Sequence, residues 1–225
     1  MAKFQFKPIV AAFVLSFLTA LPLAASAPAK ADTLSDVRDR GLLRCGVINS
    51  GIGLSELDQS GRWQGFFPEF CRFLAASVLG NADAVEFVEV NYVVRFDALN
   101  SGAFDVLMAN TTWTLTRDTS LGLNFAGVNY YDGQGFMIRT SMDINSALEL
   151  SGASICTNTG TTTELNVADY FRANNMDYEL VAFEKADEVV AAYDAGRCDV
   201  YTTDASGLYA QRLKLTNPGE HKVLP

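Results

Sequence analysis

The chain has 225 residues, 17 Lys and Arg against 26 Asp and Glu, and a net charge of −9. So acidic a surface repels phosphate backbones and excludes nucleic acid as a partner. With 49% hydrophobic and 19% charged residues the chain has the composition of a folded core and not of a disordered segment, and a single histidine, His221, rules out any mechanism that needs two imidazoles.

The first elements in chain order read as an export leader. Lys3 and Lys7 precede an apolar run from Ile9 to Leu21, followed by Pro22 and a small-residue zone holding Ala25-Ser26-Ala27 and Ala29-Lys30-Ala31. This is the pattern of a secretory signal peptide, and the run is short for a membrane span. Pro28 disfavours the first site, so cleavage is expected after Ala31, giving residues 1–31 as the leader. Cleavage there removes three lysines and no acid, leaving 14 basic and 26 acidic residues, net −12.

Export changes the meaning of the cysteines. Cys45, Cys71, Cys156 and Cys198 show no Cys-x-x-Cys spacing and no histidine neighbour, which argues against zinc. In an oxidising compartment an even count suggests two disulfides, with three connectivities possible. Cys45–Cys71 with Cys156–Cys198 is favoured because each pair stays within one half of the chain. Four buried free thiols are the competing reading.

Downstream, strands and helices alternate. A helix over Thr33 to Gly41 leads into a strand from Leu42 to Ile48 and a loop at Asn49–Gly53. A helix from Pro68 to Leu79, a strand from Glu86 to Val90, a helix from Val93 to Ser101 and a strand from Asp105 to Ala109 follow. The rhythm returns as a strand at Ser154–Thr157, a helix at Thr161–Ala173, a strand at Leu180–Phe183, a helix at Ala186–Ala195 and a strand at Asp199–Thr203. Such alternation implies an α/β fold with largely parallel pairing. Gly102-Ala103-Phe104-Asp105-Val106 and Gly196-Arg197-Cys198-Asp199-Val200 share a helix-stop glycine and an Asp-Val strand entry, which suggests two similar lobes.

Ligands of open α/β sheets sit beyond the carboxyl ends of the strands. Those ends, at Asn49–Gly53, Asn110–Thr114, Thr157–Thr162 and Thr203–Ser206, are rich in Thr, Asn, Gly and Asp. Arg117 follows one of them within a turn, where its guanidinium fork can grip a carboxylate; pairing with Asp118 is the plain alternative. Thr161 opens a helix and suits an anion site, or an ordinary capping box with Glu164. Asp204 is either a helix N-cap or, facing a cleft, a holder of an ammonium group. An arginine, a helix start and an aspartate together suit both ends of an α-amino acid.

These stretches carry a resemblance. Leu42–Val47, Asn110–Leu123 with Asn124-Phe125, Tyr130–Phe136, Thr159–Thr162 and Ala192–Asp204 resemble the family 3 solute-binding proteins of ABC transporters, and within them the periplasmic general L-amino-acid-binding proteins. The resemblance implies a type II periplasmic-binding-protein fold with lobe 1 over residues 32–138 and lobe 2 over 139–225. It implies a periplasmic, monomeric, non-enzymatic protein without cofactor, which captures L-amino acids of broad range and delivers them to an ABC permease in the inner membrane. By the same resemblance Arg117 takes the α-carboxylate with Thr112 and Thr162, Asp204 takes the α-ammonium, and Asn110 and Thr161 are further polar strand-end positions. Leu54 stands where the family often has an aromatic over the ligand. The usual Gly-Phe-Asp-x-Asp helix entry reads Gly65-Phe66-Phe67-Pro68-Glu69. The family's chain continues past Val223-Leu224-Pro225 through a second hinge strand and back into the first lobe, so the first lobe is expected to be incomplete here. The alternatives are a ligand-sensing module of a receptor or wall-acting protein, and a dehydratase on the same fold.

Overall fold

The computed structural model describes residues 32–224; the expected leader lies outside them. The first half opens with helix α1 (Thr33–Arg40), which stops at Gly41, φ +66°. Strand β1 (Leu43–Val47) is followed by a short hairpin, β2 (Glu56–Leu57) and β3 (Trp63–Gln64), absent from the sequence reading. Helix α2 (Phe66–Leu79) starts two residues before the expected Pro68, directly after Gly65. Gly65 has φ +109°, and a Cβ there would come within 2.8 Å of the Leu54 backbone, so the turn requires glycine. Proline sits at the third helical position, where no intrahelical N–H is called for. Strand β4 (Val85–Glu89), helix α3 (Arg95–Asn100) and strand β5 (Val106–Leu107) complete a three-stranded parallel sheet of order β4-β1-β5.

The second half contains β6 (Gln134–Arg139), β7 (Ala153–Asn158), α4 (Thr162–Ala173), β8 (Tyr178–Phe183), α5 (Ala186–Asp194), β9 (Val200–Asp204), α6 (Ala205–Arg212) and β10 (His221–Leu224). Its five-stranded sheet has the order β10-β6-β9-β7-β8. Here β8, β7 and β9 run parallel, whereas β6 and β10 pair antiparallel, so this sheet is mixed. Strand β6 belongs wholly to this sheet and straddles the lobe boundary drawn at residues 138 and 139. His221, which pairs with Arg139 across β10 and β6, is buried with Nδ1 2.8 Å from the Tyr193 hydroxyl.

The two halves repeat one unit, β4-β1-β5 matching β8-β7-β9 with the first strand in the middle. The aspartates that open β5 and β9 explain why the motif recurs. Asp105 accepts the Arg44 N–H at 2.8 Å and returns its own N–H to the Arg44 carbonyl at 2.9 Å. Asp199 accepts the Ser154 N–H at 2.9 Å and donates to the Ser154 carbonyl at 3.0 Å. Each aspartate fastens its strand to the head of the middle strand.

Both favoured disulfides are formed. Cys45–Cys71 ties β1 to α2, and Cys156–Cys198 ties β7 to the turn before β9, with Cα separations of 6.1 and 5.7 Å. They sit at the centre of separate cores. One surrounds Cys45, Val47, Trp63 and Cys71; the other includes Met137, Cys156, Tyr193, Cys198 and Tyr201. Closing chain segments of 26 and 42 residues is worth about 3–4 kcal/mol each by the chain-entropy estimate.

Candidate functional site

A pocket lies where the carboxyl ends of both sheets meet. Lobe 1 contributes Tyr92, Arg95, Asn110, Thr112 and Arg117; lobe 2 contributes Thr161, Thr162, Thr163, Thr203 and Asp204. Of the residues singled out in the sequence, Arg117, Asp204, Thr112, Thr162, Asn110 and Thr161 come together here. Leu54 is not part of the lining, and the loop Asn49–Gly53 is not a wall of the pocket either. That loop packs instead against α6, where the Gln211 Nε2 donates to the Ser50 carbonyl at 3.0 Å.

Arg117 sits in a π-helical turn over Thr116–Ser120, beyond the loop that follows β5, and is only 7% exposed. Its Nη1 donates to the Thr112 carbonyl at 2.8 Å, and its guanidinium lies 5.0 Å from the Phe96 ring centre. Asp118, the alternative partner, instead accepts the Trp113 indole N–H at 3.0 Å. Burial lowers the Arg117 pKa, and the Asp204 charge opposes that shift.

Asp204 occupies the N-cap position of α6 but its carboxylate makes no capping bond. It reaches across the cleft, where the Asn110 Nδ2 donates to it at 2.9 Å. Burial raises its pKa, partly offset by the Asn110 hydrogen bond. Thr112 and Thr162 also meet across the cleft, hydroxyl to hydroxyl at 3.2 Å. Thr161 caps α4: its hydroxyl accepts the Glu164 N–H at 3.2 Å and donates to the Asn158 carbonyl at 2.7 Å. The Glu164 carboxylate accepts the Gly160 N–H at 2.9 Å, one residue before the N-cap, so the Thr161 side chain is engaged as a cap but the return bond of a capping box goes to Gly160 and not to Thr161 itself.

The sequence reading missed Arg95. It is 1% exposed, 4.5 Å from the Phe96 ring centre and 5.1 Å from that of Tyr92. Its Nη2 reaches the Gly160 carbonyl of the other lobe at 3.4 Å, while Nε and Nη1 are buried without a protein partner among the described residues. Burial, then the neighbouring Arg117, lowers its pKa to about 10, so it stays charged at neutral pH. The available signal was an arginine on the first turn of a helix leaving the carboxyl end of a strand, in a stretch read only for its periodicity. The lining therefore holds two guanidinium groups against one carboxylate. It matches a zwitterion with a positive charge left over. No His, Cys, Asp and Glu group of metal-binding arrangement occurs among the described residues.

The model of the bacterial extracellular solute-binding proteins, family 3, matches residues 43–196. The general L-amino acid-binding periplasmic protein of Rhizobium johnstonii is 57% identical over 91% of this chain and 60% of its own. A glutamate/glutamine/aspartate/asparagine-binding protein of Rhodobacter capsulatus is 48% identical over 93% of this chain and 63% of its own. A solved ABC-transporter periplasmic binding protein of Brucella ovis with glutathione bound superposes with a TM-score of 0.84 at 58% identity, covering 87% of this chain and 61% of that one. The chain thus spans a little over three fifths of the length of these relatives.

Proposed function

Because the chain belongs to the bacterial extracellular solute-binding proteins of family 3, we propose that it captures L-amino acids between its lobes and presents them to the permease of an ABC importer. It does so in the periplasm, after export and cleavage behind Ala31. The observation that carries this reading is the placement of Arg117 and Asp204 in one pocket but on different lobes. Arg117 takes the α-carboxylate together with the Thr112 and Thr162 hydroxyls, and Asp204 takes the α-ammonium. A ligand held by both lobes favours their approach, which is the condition for ligand-driven closure.

The range of ligands is broad, in keeping with the names of the relatives from R. johnstonii and R. capsulatus. Arg95 gives the pocket a second cation beyond the one cation and one anion needed for the zwitterion's ends, and so an affinity for ligands with a second carboxylate. Removing one charged partner from a buried contact costs roughly 2–5 kcal/mol. A micromolar ligand is held by only about 8 kcal/mol. Calorimetric titration with a panel of L-amino acids is therefore expected to give heat that is lost in both Arg117→Ala and Asp204→Ala. Wild-type affinity in both variants would refute these roles.

A further inference from the structure

Asp204 stands at the N-cap of α6 yet makes no capping bond, which leaves the first N–H groups of that helix in need of acceptors. An N-cap side chain ordinarily accepts from the second or third helical residue. In α6 the second residue is Ser206, and its N–H goes to a different carboxylate. Asp132 accepts it at 3.2 Å through Oδ2 and 3.4 Å through Oδ1, and also accepts the Ser206 hydroxyl. The first helical N–H, that of Ala205, is taken by the Gly133 carbonyl at 2.7 Å. Both acceptors come from residues just before β6, on the segment that leads from lobe 1 into lobe 2.

We infer that Asp132 is a positioning residue for ligand binding: it caps α6 in place of Asp204, and so leaves the Asp204 carboxylate free to enter the pocket and hold an ammonium group. The inference rests on the ammonium role given to Asp204 above. Without Asp132 the Ser206 N–H is left for the N-cap side chain, the ordinary acceptor at this position, and Asp204 is of a residue type among the best N-caps. Turning back to its own helix, that carboxylate would leave both Asn110 and the ligand. Asp132 also has an opposing effect, because its negative charge raises the pKa of Asp204. Asparagine at position 132 separates the two effects, since it keeps the acceptor oxygen and removes the charge.

The test is heteronuclear NMR titration of the full chain with L-glutamine, which reads dissociation constants into the millimolar range. Asp132→Ala is expected to weaken binding tenfold or more, and Asp132→Asn by less than threefold. In an Asp204→Ala background, Asp132→Ala is expected to change nothing further, since a positioning residue acts only through the group it positions. Three results would overturn the inference while leaving the amino-acid reading intact. They are unchanged affinity in Asp132→Ala, equal loss in the Asn and Ala variants, or a further tenfold loss on top of Asp204→Ala. If the unaltered chain bound neither L-glutamine nor any other amino acid, the reading of the site itself would fall, and this inference with it.

Discussion

Asp204 is kept in a place where burial penalises its charge, and the consequence can be measured without a ligand. Its folded-state pKa is raised, so the native chain binds that proton more tightly than the unfolded chain does. Stability from this group is then full below the unfolded value, near 3.9, and is lost as pH rises through the higher folded value. At neutral pH Asp204 destabilises the empty chain, and Asp204→Asn, which keeps an oxygen for Asn110, is expected to melt higher. The gain should shrink as pH falls through that window; a lower melting temperature for Asp204→Asn at pH 7 would contradict it. Binding follows the opposite course, because a protonated Asp204 cannot pair with an ammonium, so affinity should fall as the solution is acidified. Arg95 yields a second prediction. In Arg95→Met the apolar stem still packs beside Tyr92 and Phe96, and the charge is gone. Affinity for L-glutamate should drop by about ten- to 150-fold, the usual range for a hydrogen bond to a charged group, with L-leucine little changed; equal losses for both would remove Arg95 from any role in ligand choice. Both Asp204, which ends a strand, and Arg117, which follows a hydroxyl-rich run beyond another, stood out in the sequence. Arg95 did not, because what distinguishes it is its burial and its unpartnered nitrogens, and a helical stretch of sequence shows neither.

At the scale of the element, alternation of strand and helix was legible over the two repeated units, where strands such as β1 are buried on both faces and helices end on glycine, but not at β6, which is equally buried and lies outside those units. Strand β1 and the helices closed by Gly80, Gly102 and Gly196 fell where expected, with φ of +72°, +77° and +78° at those glycines. Strands β2, β3, β6 and β10 escaped: β2, β3 and β10 have only two to four residues and no period of their own, each existing through its partner, and β6 is a short apolar run that joins the sheet antiparallel, outside the strand-helix alternation. The same dependence made the second sheet mixed instead of largely parallel, since β6 and β10 join it from outside the repeated unit. The repeat itself was visible, but the sequence did not reveal its purpose, which is the aspartate clasp. The Asp105 side chain is 5% exposed and holds Arg40 and Arg44 besides the Arg44 N–H. The more exposed Asp199 holds the N–H and hydroxyl of Ser154. Asp105→Ala is expected to destabilise the chain by about 1–3 kcal/mol and Asp199→Ala by less, in proportion to the solvent that can replace the lost acceptor. Chemical denaturation would show the order; the reverse order would mean that the clasp is not what the motif contributes. The Asp199 pKa is lowered, first by the Ser154 hydroxyl, so its share of stability is present at neutral pH and lost as pH falls through the folded value.

Across the whole molecule, the lobes touch both inside and outside the pocket. Inside are the Asn110–Asp204 and Thr112–Thr162 contacts, the first of which a bound ammonium must share or displace. Outside is the seat of Gln211. It is 1% exposed, bonded to the Ser50 carbonyl, and packed where Gly51, φ +115°, leaves no room for a side chain: a Cβ there would lie 3.2 Å from Ala210 and Gln211. The Ser50 and Ser55 hydroxyls and the Gln211 Oε1 are buried there without protein partners among the described residues, a polar cluster of the kind that holds an ordered water. Because none of these residues lines the pocket, the seat bears on the approach of the lobes without discriminating among ligands. If approach of the lobes is coupled to binding, loss of one buried hydrogen bond, worth about 1 kcal/mol with up to about 3 for a stranded partner, lowers the affinity for every ligand by the same factor. Gln211→Ala is therefore expected to weaken L-glutamate and L-leucine alike, by roughly five- to 150-fold, with their ratio preserved. Small-angle scattering should show a larger radius of gyration for the variant than for the parent chain. A change in the ratio would place Gln211 within reach of the ligand, and no change in either affinity or size would mean that this contact contributes nothing to how the lobes come together.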